Sequence, residues 1–251
     1  MLKNAFLFAL LISGFILSCK KPDTKLPDDS FPAIAETKPQ YNNTSFGVYK
    51  GVVIGSVGTI VFRINNGDAI VKGYLNIDNQ KDTLSTTQSV VAGQPLVNLA
   101  FTGRFSSMTL SADADGSNAV ISNLVIAGHP NARALLVHEN STQPVLCYGG
   151  TFSGDLNGTI CFVKTGAAIR SAPVLFLAKA SVDTFFLRGN AVPETDSSRT
   201  HTHYMYDLGN PVRTFSGYPT FSSAAVTGPW VSYYPPTASS LRGTINCVRT
   251  Y

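Results

Sequence analysis

One short pattern occurs twice in this 251-residue chain, and it constrains the fold more than any other feature. Tyr49-Lys50-Gly51, Gly55 and Gly58-Thr59-Ile60-Val61-Phe62 return as Tyr148-Gly149-Gly150, Gly154 and Gly158-Thr159-Ile160-Cys161-Phe162, with Asn157 as the inserted residue. Apolar residues alternate in both copies, which places Ile60 with Phe62, and Ile160 with Phe162, on one face of a strand. The glycines after each tyrosine suit a sharp bend or a bulge. Phe101-Thr102-Gly103 is matched by Phe215-Ser216-Gly217, and Lys72-Gly73 is set against Arg188-Gly189 across a longer intervening segment. The repetition predicts two related β modules, 46–146 and 147–251, either separate or sharing one joint β domain.

Between the repeats, strand-like runs alternate with turn chemistry. Tyr49–Ile54, Thr59–Asn65, Ala69–Ile77, Asp82–Thr87, Leu96–Phe105, Met108–Ala112 and Ala119–Ile126 read as strands. Asn66-Gly67 between two of them is a strong hairpin signal, because both residues tolerate positive φ. Asp78-Asn79-Gln80 and Asp115-Gly116 mark further turns. No long amphipathic helix is legible after the N-terminal region. The expected fold is all-β, an antiparallel meander closing as a barrel or a sandwich, since either arrangement removes or protects exposed strand edges.

The N-terminus carries a different message. Lys3 precedes a run from Ala5 to Leu17 that is apolar apart from Ser13 and Gly14. A spanning helix needs roughly 20 apolar residues, so the run reads as an export signal rather than a membrane helix. Ile16-Leu17-Ser18-Cys19 resembles the lipobox of bacterial lipoproteins, in which the chain is cut before a cysteine that carries diacylglycerol. The resemblance implies that residues 1–18 are a signal peptide and that Cys19 is the lipidated first residue of the mature chain. A triacylated cysteine would hold the protein to a membrane durably, where one short chain holds only weakly. Lys20, in place of the Asp of inner-membrane retention signals, favours the outer membrane, with the leaflet left open. Pro22, Pro27, Pro32 and Pro39 then interrupt a polar stretch, so residues 19–45 are expected to form a disordered tether. The Tyr-x-Gly…Gly-Thr-Ile-x-Phe motif is similar to Gly-rich strand motifs of uncharacterised envelope lipoproteins with β-barrel-like bodies, a likeness that implies no activity.

Three cysteines remain after Cys19. In an oxidising compartment, one disulfide and one thiol is the parsimonious count. With Ile160 and Phe162 inward, Cys161 and Cys147 both point outward on neighbouring strands, whereas Cys247 falls on the core side. A Cys147–Cys161 disulfide with a buried free Cys247 is the expected arrangement, subject to inversion by a single bulge.

Chemical signals are sparse. Charged residues make up 14% of the chain and the net charge is +4, without the Lys/Arg cluster that nucleic-acid binding requires. Nucleophile-elbow, zinc-protease and phosphate-loop motifs are absent, and no cofactor or metal is expected. His201 and His203 read as loop histidines, Asp113–Asn118 as a hairpin turn with a faint likeness to a calcium loop, and His138-Glu139 as a strand end. The single tryptophan, Trp230, is read as standing with Tyr233 and Tyr234 in a turn bounded by Gly228-Pro229 and Pro235-Pro236, with Tyr218 upstream. These rings either form a stiff stacking platform for sugar or pack into the core. The functional expectation is a lipid-anchored, non-catalytic envelope protein that binds or scaffolds an envelope partner. The alternative is a glycan-binding module of a polysaccharide-capture system that uses this aromatic segment.

Overall fold

The computed structural model describes residues 34–166, 174–180, 186–193, 200–203, 214–217, 219–221, 224–234 and 239–250. The fold is all-β and antiparallel. Among the described residues the one helical segment is a 3-10 turn at Pro39–Tyr41. The first sheet contains β1 (Gly47–Ile54), β2 (Gly58–Ile64), β3 (Val71–Ile77), β4 (Gln80–Ser85), β5 (Leu96–Thr102), β6 (Ser106–Ala112), β7 (Val120–Ile126) and β8 (Arg133–His138). β1 to β7 run as a meander, and β8 returns to the free side of β1. The sheet curls until β7 lies beside β8 without a hydrogen-bonded ladder, so this barrel is nearly closed.

The second sheet contains β9 (Val145–Gly154), β10 (Gly158–Thr165), β11 (Val174–Ala180), β12 (Phe186–Pro193), β13 (Thr200–His203), β14 (Thr214–Gly217), β15 (Thr220–Phe221), β16 (Ala225–Tyr234) and β17 (Ser239–Arg249). Here the ring closes, because β17 pairs with both β9 and β16, and β16 pairs with β14. β14 and β15 keep one register along β16. Closure pairs the two ends of the sheet with each other and so protects strand edges.

The repeat is structural. Tyr49 faces Phe62 and Gly51 faces Ile60 across β1–β2, while Tyr148 faces Phe162 and Gly150 faces Ile160 across β9–β10. The inserted Asn157 lies in the connecting loop, where its Oδ1 accepts the Gly154 N–H at 3.2 Å. Gly51 and Gly150 share one cause. A Cβ at Gly51 would overlap the Leu135 carbonyl of β8, and one at Gly150 would overlap the Asn246 carbonyl of β17. Each glycine lets the last strand of its sheet approach the first. The weaker matches are not equivalent positions. Gly73 is on the third strand of its sheet and Gly189 on the fourth, while Phe101 is on the fifth and Phe215 on the sixth.

Each sheet encloses a packed interior. Tyr49, Phe62, Leu84, Phe101 and Leu110 are among the side chains filling the first, and Tyr148, Phe162, Phe221, Trp230 and Ile245 among those filling the second. At this barrel size side chains occupy the interior. A third apolar cluster joins the two. Val52, Ile54 and Leu135 on the outside of the first barrel meet Val145, Cys147, Cys161 and Val163 on the outside of the second. β1 is therefore buried on both faces along its whole length. Its Val52-Val53-Ile54 run, apolar without alternation, is the sequence form of that two-sided burial.

Two local readings are corrected here. The β2–β3 hairpin exists, but positive φ falls on Asn65 and Gly67 rather than on Asn66 and Gly67. Asn66 instead uses its side chain, accepting the Lys38 N–H and donating to the Glu36 carbonyl. Residues 34–45, read as the last part of the tether, lie against the first barrel, with Thr37 and Ser45 buried.

Candidate functional site

The segment that precedes β1 is held by a carboxylate from the other side of the strand order. Glu139, just after β8, is fully buried and accepts four hydrogen bonds. The N–H groups of Glu36 and Thr37 reach its Oε2 at 2.6 and 3.1 Å, while Lys50 Nζ at 2.7 Å and the Val145 N–H at 3.0 Å reach Oε1. Lys50, also fully buried, makes a second ion pair with Glu36 at 3.0 Å, and Glu36 pairs in turn with Arg63. A buried carboxylate is tolerable only with this kind of full engagement. The network ties residues 36–37, β1 and the first residue of β9 to one point.

Above this clamp, three segments converge on one end of the first barrel. They are the turn at 41–46, the β6–β7 turn at 113–118, and the end of β8 with the residues that follow it. His138 Nε2 donates to the Phe46 carbonyl at 2.8 Å, and its ring lies tilted against Tyr49 with centroids 4.7 Å apart. Burial holds the imidazole below its ordinary value, so it is neutral at pH 7 and Nε2 carries the donated proton. The Tyr49 hydroxyl donates a hydrogen bond to the Ser45 carbonyl at 2.8 Å. In the β6–β7 turn, Asp113 accepts from Asn118 Nδ2 at 2.6 Å and Asp115 accepts the Ser117 N–H at 2.9 Å. The bonds from Ser117 hold the Asp115 carboxyl below the usual range.

The three segments enclose an open cleft of about 460 Å³, lined by Asn42, Asn43, Asp115, Ser117, Asn118, His138 and Asn140 among others. Its wall combines four asparagine amides, the Asp115 carboxylate, the Ser117 hydroxyl and the His138 ring with apolar surface from Ala119, Leu136 and Val137. Much of that polarity is unspent. Asn43 has no side-chain hydrogen bond within the described structure; Asn42 and Asn140 use only their oxygens, on Ser141 and on Thr142. Two Asn amides therefore present bare N–H2 groups, and Asn43 presents a whole amide. No protein-family model, curated protein or solved structure matches this chain. The site must be read from its own chemistry.

The residues singled out from sequence lie elsewhere. Trp230 is 1% exposed inside the second barrel, edge-on to Phe152 at 5.6 Å, with Nε1 donating to the Ser153 carbonyl at 3.1 Å. It is an anchor of the core and not a surface platform. Residues 225–234 form a ten-residue strand between two partners, not the turn that the flanking Gly-Pro and Pro-Pro pairs suggest. Gly243 opposite supplies the space, since a Cβ there would overlap the indole. Tyr233 and Tyr234 are the last residues of that strand, paired in backbone with Ser240 and Ser239. Tyr218 and Cys19 lie outside the described residues. His201 and His203 sit on β13. Among the described residues, no group of three or more His, Cys, Asp or Glu could hold a metal ion.

Cys147 and Cys161 are not bridged. Both are free and buried, as is Cys247. Their parity is as read, opposite to Ile160 and Phe162. The outward face, however, is the junction with the first barrel, where Cys147 Sγ donates to the Gly51 carbonyl at 3.5 Å. Cys147 stands opposite Val163, and Cys161 opposite Gly149, so the two thiols are diagonal rather than directly paired. Burial pushes both thiols up, Cys161 to about 12, which removes the thiolate needed for exchange. Cys247 belongs to the core of the second barrel.

The cleft had a partial signal in the sequence. Asp113–Asn118 and His138-Glu139 were each visible, as a turn and as a strand end. Asn42 and Asn43 were assigned to a tether, and nothing local announced that all four would meet.

Proposed function

We propose that this chain is a lipid-anchored protein of the cell envelope that binds or scaffolds an envelope component without transforming it. The amide cleft is the observation that carries the binding part. Unspent donors and acceptors gathered at one rigid barrel end suit recognition. A single carboxylate lines the cleft among the described residues, whereas glycoside hydrolysis commonly takes two flanking the bond. The anchoring part rests on the lipobox at Cys19 and on Lys20 after it, which favours the outer membrane.

Two measurements test the reading. Intact-mass analysis of the chain extracted from membranes should give a species that begins at Cys19 and carries acyl groups; an unmodified chain, or one starting elsewhere, overturns the anchoring. The purified lipidated chain in detergent should co-sediment with delipidated cell-envelope material; its staying in the supernatant overturns the binding. Trp230, as a core residue, argues against placing a glycan site on the Trp230–Tyr234 segment.

A further inference from the structure

We propose that the cleft at the end of the first barrel binds a short neutral oligosaccharide. The inference rests on the binding-protein reading above and names its ligand class.

A sugar hydroxyl both donates and accepts, so a site for vicinal hydroxyls needs donors and acceptors side by side. The cleft supplies that mixture. Asn42 and Asn140 offer N–H2 groups because their oxygens are occupied by the 140–142 turn. Asn118, whose N–H2 is spent on Asp113, offers its oxygen. Asn43 offers both, and the Asp115 carboxylate, engaged by Ser117, adds a strong acceptor. Among the described residues no lysine or arginine lines the cleft and one carboxylate does. That balance repels phosphate, sulfate and uronate groups and accepts an uncharged polyol. The volume of about 460 Å³ lies within the range of small-molecule sites.

The geometry holds without the ligand. The turn at 113–118 is tied by Asp113 and Asp115, the 41–46 turn by Tyr49 and His138, and the 140–143 turn by Asn140 and Asn42. Little ordering is left for the ligand to impose, so weak individual bonds can sum to specific retention.

The test uses the lipidated chain in detergent micelles, titrated calorimetrically with neutral hexose and N-acetylhexosamine oligosaccharides, and with oligo-uronates of equal length. One neutral series should bind saturably, with affinity unchanged between low and high salt, while the uronates do not bind. Asn43→Ala and Asp115→Asn should each weaken that binding, and together by about tenfold or more, with the β-sheet circular-dichroism spectrum unchanged. Absence of saturable binding by every neutral series overturns the proposal, as does equal binding by both variants. If the chain still sediments with delipidated envelope, and no neutral oligosaccharide competes, the sugar inference fails while the binding-protein reading stands. If it does not sediment at all, that reading fails first.

Discussion

At the scale of single residues, two carboxylates each hold together segments far apart in the chain. Glu139 accepts four donors in a site with no water-exposed surface. A buried ion that loses its only partner costs roughly 3–5 kcal/mol. Lys50 keeps Glu36, so Glu139→Gln should cost less, about 2–3 kcal/mol, read as a lower urea midpoint at constant slope. Asp82 acts likewise at the β5–β6 turn. Burial pushes its carboxyl up, but the Phe105 N–H, Ser106 Oγ and the Arg104 N–H together outweigh that and hold it below the ordinary value. A depressed carboxyl stabilises the fold fully above its unfolded-state value, and that contribution is lost as pH falls through its folded-state value. The stability gap between wild type and Asp82→Asn should therefore be constant at neutral pH and narrow on acidification below the ordinary carboxylate range. Acid-dependent urea titrations of both chains measure it. Neither role was legible in the sequence, where Asp82 opens a strand and Lys50 sits at an outward position that would ordinarily face water.

At the scale of elements, the two barrels differ at corresponding joints. β16 and β17 share a ladder ten residues long, whereas β7 and β8 share none. β5 meets β4 through a single pair, Ser85 with Thr102, and Gln88 uses its side chain to cap the Ala100 N–H at 2.5 Å. The three-stranded piece β5–β7 is thus tied to the rest of its barrel by packing, by Asp82 and by few backbone bonds. Hydrogen exchange read by mass spectrometry should show β7 amides exchanging faster than those of β16 and β17. Equal protection would mean that the β7–β8 joint is closed in solution. The strands β1 to β7 were legible, with ends displaced by one to three residues, because alternation and turn chemistry are local. β8 was not, since His138-Glu139 gave only a strand end, and β16 was mistaken for a turn because its prolines look like breakers. Pro229 is held within β16, where residues on both sides pair.

At the scale of the whole molecule, the junction between the barrels matters most. β1 belongs to both the first core and the shared cluster, so loss of the first barrel strips one wall from the second. The two should unfold together. Leu84 lies inside the first barrel, away from the junction cluster, and Trp230 lies inside the second. Leu84→Ala should shift the denaturation midpoint reported by Trp230 fluorescence, with a loss of roughly 2–5 kcal/mol. An unmoved Trp230 transition would show that the barrels unfold independently.

The sequence by itself determined the strand class, most strand positions in the first half, the repeated Tyr-Gly and Gly-Thr-Ile-x-Phe register, and the facing of each cysteine. All of these follow from a period of two and from the backbone freedom of Gly and Asn, which act within a few residues. Only the tertiary structure decided what each face meets. Outward-facing Cys147 and Cys161 meet another barrel rather than water, Lys50 meets two carboxylates, Trp230 meets a core, and Asn42, Asn43, Asp115 and His138 line one cleft. Facing is a property of the local backbone, but the neighbour across a face depends on closure of the sheet between residues far apart in the chain, and no local pattern encodes that.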